Sequence, residues 1–142
     1  MGKTLDAYAV GDQVPPLKLP ALTRHTLALY CGGSGDHNPI HTDIDYARKS
    51  GLEDVIGHGM LTMAYVARMV TDFAGPAAVR NLNVRFVGMA KIGDEIVCKG
   101  RLEERTIGEN EVTLTLSVTA SVGERQLVAG EALVAIGVEP AA

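Results

Sequence analysis

The 142-residue sequence has two cysteines, no excess of positive charge and no long uninterrupted apolar run. Cys31 and Cys98 are far apart and belong to no CxxC or Cys/His spacing, which argues against a disulfide framework and a zinc module. Reduced thiols in a cytoplasmic protein are the expectation. A formal net charge of -4 leaves no broad basic surface for nucleic acid or an anionic membrane. The most apolar stretch, LVAGEALVAIGV, is interrupted by Glu131 and is too short to span a bilayer as a helix. Asp6 and Asp12 fall where a secretory leader needs its apolar centre, and the sixth residue is Asp where a myristoylation signal has Ser or Thr. These absences predict a soluble chain with neither a nucleic acid nor a membrane as partner.

A composition of 46% hydrophobic and 21% charged residues suits one globular domain over 1–142 that buries a core unaided. The first twenty residues hold three prolines and a Gly11-Asp12 turn, so an extended segment is expected there. Thr23 reads as the N-cap of a short amphipathic helix from Leu22 to Cys31, ended by Gly32 and Gly33. A helical turn is expected at Asp43–Ser50. The main helix, His58 to Gly75, is apolar nearly all round, which suits burial on several sides. Four β-like runs follow, at Val79–Val87, Glu95–Glu103, Glu111–Val122 and Gln126–Val138. Hairpin signals separate them at Gly93-Asp94, Gly108-Glu109-Asn110 and Gly123-Glu124. The sum is an α+β layer architecture, a long helix against an antiparallel sheet. A run such as VTLTLSVTA, placed at an outer edge, would call for a second subunit to cover it.

Chemistry concentrates in GGSGDHNPIH at 32–41. Asn38-Pro39 turns the backbone between Asp36 and His41, so five residues of separation can become a short distance across a loop. A carboxyl and a neutral imidazole facing one water form a general acid/base pair. The plainer alternative is that Asp36 caps a turn and His41 is a hydrogen-bonded loop residue. A metal cluster of His37, His41, Asp36, Asp43 and Asp45 is disfavoured, because Pro39 breaks the helix that would align the two rings. Ser34 nearly sits in a GxSxG elbow, but Asp36 stands where the last glycine belongs. A phosphate loop lacks its lysine and would meet the charge of Asp36. Gly57-His58-Gly59-Met60 opens the main helix, so its unpaired amides could hold an oxyanion. Simple helix initiation, with His58 as a polar cap, is the simpler reading of the same residues. Met60, Met63 and Met69 are read as core filler before an acyl tunnel, and Arg80, Arg85 and Arg101 as solvated before phosphate-binding, with only Arg85, inside the apolar run NVRFVG, a weak candidate for a nucleotide phosphate.

SGDHNPIHTD at 34–43, IGHGMLTM at 56–63 and NVRFVGMAKIGDEI at 83–96 resemble the R-specific enoyl-CoA hydratases and MaoC-like dehydratases over almost the whole chain. Within that group the sequence is similar to the catalytic subunit of (3R)-hydroxyacyl-ACP dehydratases. The resemblance implies a hot-dog fold, a curved antiparallel sheet wrapped around a central long helix, with two such units paired. It implies that Asp36 and His41 are catalytic, that Asn38 orders the loop and the water, and that the Gly59 amide holds the thioester carbonyl. The implied reaction is reversible syn addition of water to a trans-2-enoyl-CoA or enoyl-ACP. No metal or redox cofactor is implied, since CoA or phosphopantetheine belongs to the substrate. The implied partner is a second hot-dog chain, in a homodimer or a heterodimer. Two other readings stand beside this one: an acyl-CoA thioesterase, and one subunit of an obligate heteromeric dehydratase.

Overall fold

The computed structural model describes residues 4–137. The proline-rich N-terminal stretch is extended and runs antiparallel beside a later strand, with Gly11 N–H donating to Leu102 O, Leu102 N–H to Asp12 O and Val14 N–H to Gly100 O. It ends in a two-residue strand, β1 (Leu17–Lys18). Helix α1 (Arg24–Ser34) starts where expected, because the Thr23 hydroxyl accepts from the Thr26 amide. It does not stop at Gly32-Gly33. Both glycines are helical, and the chain leaves the helix at Gly35, whose φ of 77° lies in the left-handed region and whose N–H closes onto Cys31 O. Glycine tolerates a helix; it terminates one where the backbone takes a positive φ.

Helix α2 (Ile44–Lys49) fills the expected turn, and α3 (Gly59–Ala74) lies one residue inside each end of the expected long helix. The four β-like runs become β2 (Val79–Phe86), β3 (Val97–Ile107), β4 (Glu111–Val122) and β5 (Arg125–Gly137), Val138 lying outside the described residues. They form one antiparallel sheet in the order β1-β3-β4-β5-β2. Strict alternation on β4 buries Leu114, Leu116, Val118 and Ala120 in the same core as Val66, Met69 and Val70 of α3.

Three expectations change. Gly93-Asp94 is a turn, with Asp94 N–H bonding to Lys91 O, but not a hairpin: β2 pairs with β5 and β3 with β4, so this connection crosses from one side of the sheet to the other. Turn residues fix a local reversal and not the strand that will be met. VTLTLSVTA is central, flanked by β3 and β5, and the long free edge belongs to β2. Helix α3 is buried or half-buried over most of its circumference, but Met60 and Ala64, expected on its apolar surface, lie with Arg68 and Asp72 on one exposed stripe.

Both cysteines are free and buried, and burial pushes the Cys98 thiol up to about 11. At the surface Arg80 pairs with Glu111 and Arg101 with Glu103, as solvated arginines do. No described helix is long and apolar enough to cross a membrane.

Because Leu116 is fully buried at the centre of this core, Leu116→Ala should lower the unfolding free energy by about 2–5 kcal/mol in urea titration. Ile107→Ala, at a side chain that is 74% exposed, should stay within about 0.5 kcal/mol of the parent. Equal losses at the two positions would contradict the packing described.

Candidate active site

The loop after α1 is built by side chains that substitute for backbone acceptors. Asp36 Oδ1 accepts from Asn38 N–H at 3.3 Å, Asn38 Oδ1 from Ile40 N–H at 3.1 Å, and Asp43 Oδ1 from the amides of Asp45 and Tyr46 at 3.0 and 3.1 Å. Such Asx turns follow from Asp and Asn offering a short carbonyl-bearing side chain, and Pro39 needs no acceptor at all. Asn38 thereby caps a single helical turn, Pro39–His41, which lifts His41 toward the body of the protein. Ser34, near the failed serine elbow, donates to Tyr30 O at 2.6 Å and accepts from Asp36 N–H at 3.1 Å, fastening the loop to the end of α1.

His41 is held by the segment before α3. Its Nδ1 lies 2.8 Å from Ile56 O, and since a carbonyl only accepts, Nδ1 carries the proton. Ile56 N–H returns a bond to Ile40 O at 3.3 Å, and Gly57 N–H bonds to Ala90 O at 2.8 Å. Arg24 grips Asp54 from α1 through both guanidinium nitrogens at 2.9 and 2.5 Å, an interaction that holds the Asp54 carboxyl below its usual range. Nε2, the ring nitrogen that Ile56 does not engage, lies 3.8 Å from Asp36 Oδ2. That gap is too long for a direct hydrogen bond and suits one water touching both groups. The two environments differ: the His41 side chain is 10% exposed and that of Asp36 46%.

Sequence reasoning did not find the third member of the cluster. His58, 1% exposed, stacks on His41 with ring centroids 3.7 Å apart and planes 23° apart, while the Tyr30 ring meets it edge-on at 4.7 Å. Its Nε2 is 3.2 Å from Asp36 O and 3.4 Å from Cys31 Sγ. The carbonyl again assigns the proton, so Nε2 donates and Nδ1 keeps its lone pair, buried with no partner among the described residues. Loss of hydration lowers the His58 pKa, with the Asp36 carbonyl opposing the shift and His41 adding to it, so the ring is neutral. The signal in the sequence was the adjacency of His58 to Gly59; nothing in residue type reveals a stack or a backbone acceptor such as Ile56 O.

Gly59 and Met60 begin α3, and their amides have no intrahelical acceptor. Gly59 has no side chain to cover its backbone, and a Cβ there would come within 3.2 Å of the Phe86 ring at the end of β2. Asp36 and His41 thus meet at His58, which Gly59 follows in the chain, while Asn38 is exposed and bonds within the loop to Asp36 and Ile40. His37 is exposed, and Asp43 is occupied in capping α2, so the acidic and histidine cluster considered for a metal does not assemble. Asp36, His41 and His58 do offer ligand atoms within 4.8 Å of one another. Nδ1 of His41 and Nε2 of His58 are engaged by carbonyls, which leaves each ring one nitrogen to offer, and the two rings stack at 23°.

Residues 8–124 match the family described as the MaoC like domain. The chain is 34% identical over 109 residues to fatty acid synthase subunit beta of Aspergillus oryzae, which covers 74% of this chain but only 5% of that much longer protein. It is 27% identical over 121 residues to an (R)-specific enoyl-CoA hydratase of Rhodospirillum rubrum, covering 81% of this chain and 80% of the relative. Among solved structures, an unliganded R-hydratase from Pseudomonas aeruginosa superposes with a TM-score of 0.76 at 26% identity, covering 96% of this chain and 90% of that one. The curled antiparallel sheet with its helix is accordingly a hot-dog fold of the α+β class.

A neutral buried His58 links stability to pH. Its folded pKa lies below the ordinary 6.5, so its contribution is full above about 6.5 and is lost as pH falls through the lower folded value. Urea unfolding between pH 7.5 and pH 5, roughly the span of a histidine titration, should show stability falling with acid, and His58→Gln should flatten that slope. Identical slopes in the two proteins would contradict a neutral His58.

Proposed function

The chain belongs to the MaoC-like domain family, and on that premise we propose that it is an (R)-specific enoyl-thioester hydratase, equally a (3R)-hydroxyacyl-thioester dehydratase, acting on CoA- or ACP-bound substrates. The observation that carries this reading is the 3.8 Å gap between His41 Nε2 and Asp36 Oδ2. In hydration, the oxygen of a water held between them bonds to the β-carbon while the π electrons move toward the thioester oxygen. His41 Nε2 takes one proton of that water, because its other nitrogen is committed to Ile56 O. Asp36 orients the second O–H, which stays on the β-carbon as the product hydroxyl, and the proton taken by His41 Nε2 is returned to the α-carbon on the same face as the electrons flow back from the thioester oxygen, which gives syn addition and restores the base. Dehydration is the reverse. The amide of Gly59 at the start of α3 receives the developing negative charge on the thioester oxygen, an effect often worth roughly 3–4 kcal/mol of barrier. Asn38 serves the reaction by shaping the loop.

No metal or redox cofactor is needed in this scheme, and residues 1–142 are read as one catalytic domain. Two buried free thiols fit a reducing, cytoplasmic setting. The free edge of β2, together with the exposed apolar side chains Met60, Phe86, Val87 and Met89 beside it, supports pairing with a second hot-dog chain, either another copy or an unlike subunit.

The reaction is tested by the loss of enoyl absorbance when protein is added to crotonyl-CoA and to longer enoyl thioesters on CoA and ACP. Asp36→Asn and His41→Gln should each reduce kcat by about 10²–10⁴-fold with an unchanged circular dichroism spectrum. Wild-type turnover in either variant would sink the assignment, and thiol release from saturated acyl-CoA without hydration would favour a thioesterase. Light scattering at micromolar concentration should give a mass of at least two chains; a monomer would count against the pairing.

A further inference from the structure

His58 is the one buried polar side chain of the cluster that the scheme above does not use. It touches both members of the reacting pair by different means. Through Nε2–H it holds the main-chain carbonyl of Asp36, and through its face it backs the His41 ring. The groups around it are Tyr30 and Cys31 from α1, and Asp36 and His41 from the loop. Its remaining nitrogen, Nδ1, is buried and has no partner among the described residues, so the ring's hydrogen bonding there is confined to Nε2, against Asp36 O and the softer Cys31 Sγ. Phenylalanine would keep a stacking face and lack the donor. Glutamine would keep a donor of similar reach and lack the face. Only an imidazole or a similar polar ring supplies both.

Resting on the hydratase reading, we infer that His58 is a positioning residue that sets the spacing of the catalytic pair, fixing Asp36 from the main-chain side and His41 from behind its ring. It stands immediately before Gly59 at the fixed end of α3, so one element locates the base, the carboxylate and the oxyanion amide relative to one another. A carboxylate on an otherwise exposed loop needs such a tether: the pair shares one water, and small errors of distance are costly when proton transfer depends on alignment.

The test compares His58→Phe with His58→Gln in the full-length protein. Loss of the tether in His58→Phe should lower kcat by up to about 100-fold while KM stays within about threefold, since ground-state binding does not pass through this ring. His58→Gln should recover part of that loss. Hydrogen–deuterium exchange of the segment 34–41 should rise in His58→Phe, remain near wild type in His58→Gln, and change little elsewhere. A general structural role would instead raise exchange throughout the core and reduce activity only in proportion to folded protein. Should His58→Phe fail to fold, His58→Gln alone decides: reduced kcat with a protected loop supports the stacking role, and wild-type kcat overturns it. Wild-type exchange of the loop together with wild-type kcat in a folded His58→Phe overturns the inference. If the wild-type protein hydrates no enoyl thioester, the functional reading fails, while the exchange comparison still reports whether His58 holds the loop.

Discussion

Burial of one side of α3 against β3, β4 and β5 is the constraint on which the other features depend. Val66, Met69 and Val70 cannot leave the sheet without exposing a continuous apolar core, so the axis and start of the helix are fixed by packing. The start of α3 carries His58 and Gly59, and the segment just before it carries the Ile56 carbonyl. The loop 35–43 has little core of its own; its residues are mostly exposed, and it is located by what it meets at this helix end. Rigidity at the site is therefore borrowed from the sheet, transmitted through two histidine contacts and one backbone ladder at Ile40 and Ile56.

This division explains which features could be read in the sequence. The N-cap at Thr23, the long helix, the four strand runs and two of three hairpins follow from local periodicity and turn chemistry, which act within a few residues. The position of β2 does not, because a turn at Gly93-Asp94 is compatible with pairing to β3 or with a crossing to the far side of the sheet. The central place of β4 is likewise a property of the assembled sheet. Its alternating pattern would look the same at an edge with one buried face.

At the site, the Asn-Pro turn that brings Asp36 and His41 close was legible in the residues, because it acts within a short loop, whereas the choice of catalytic roles for these two, and the role of Asn38, came only from the family resemblance. Gly59 was ambiguous until His58 was found stacked on His41, which puts the open end of α3 beside the pair. His58 itself carried too little signal: a histidine before a helix is compatible with a cap, and it makes no side-chain cap bond here. What identifies it is a contact across 17 residues of chain and an acceptor that belongs to the backbone of Asp36.

The different exposures of the pair bear on its division of labour. His41 is enclosed, with one nitrogen committed to Ile56 O and a ring face covered by His58, so its other nitrogen has a set direction and little water to compete for it. Asp36 is nearly half exposed, with Oδ1 tied to the Asn38 amide and Oδ2 turned toward His41. Its oxygens stay open to solvent, so it can orient a water by accepting a hydrogen bond from it. A group that must take and return a proton repeatedly benefits from the fixed geometry of His41; one that must orient water and release it benefits from contact with solvent.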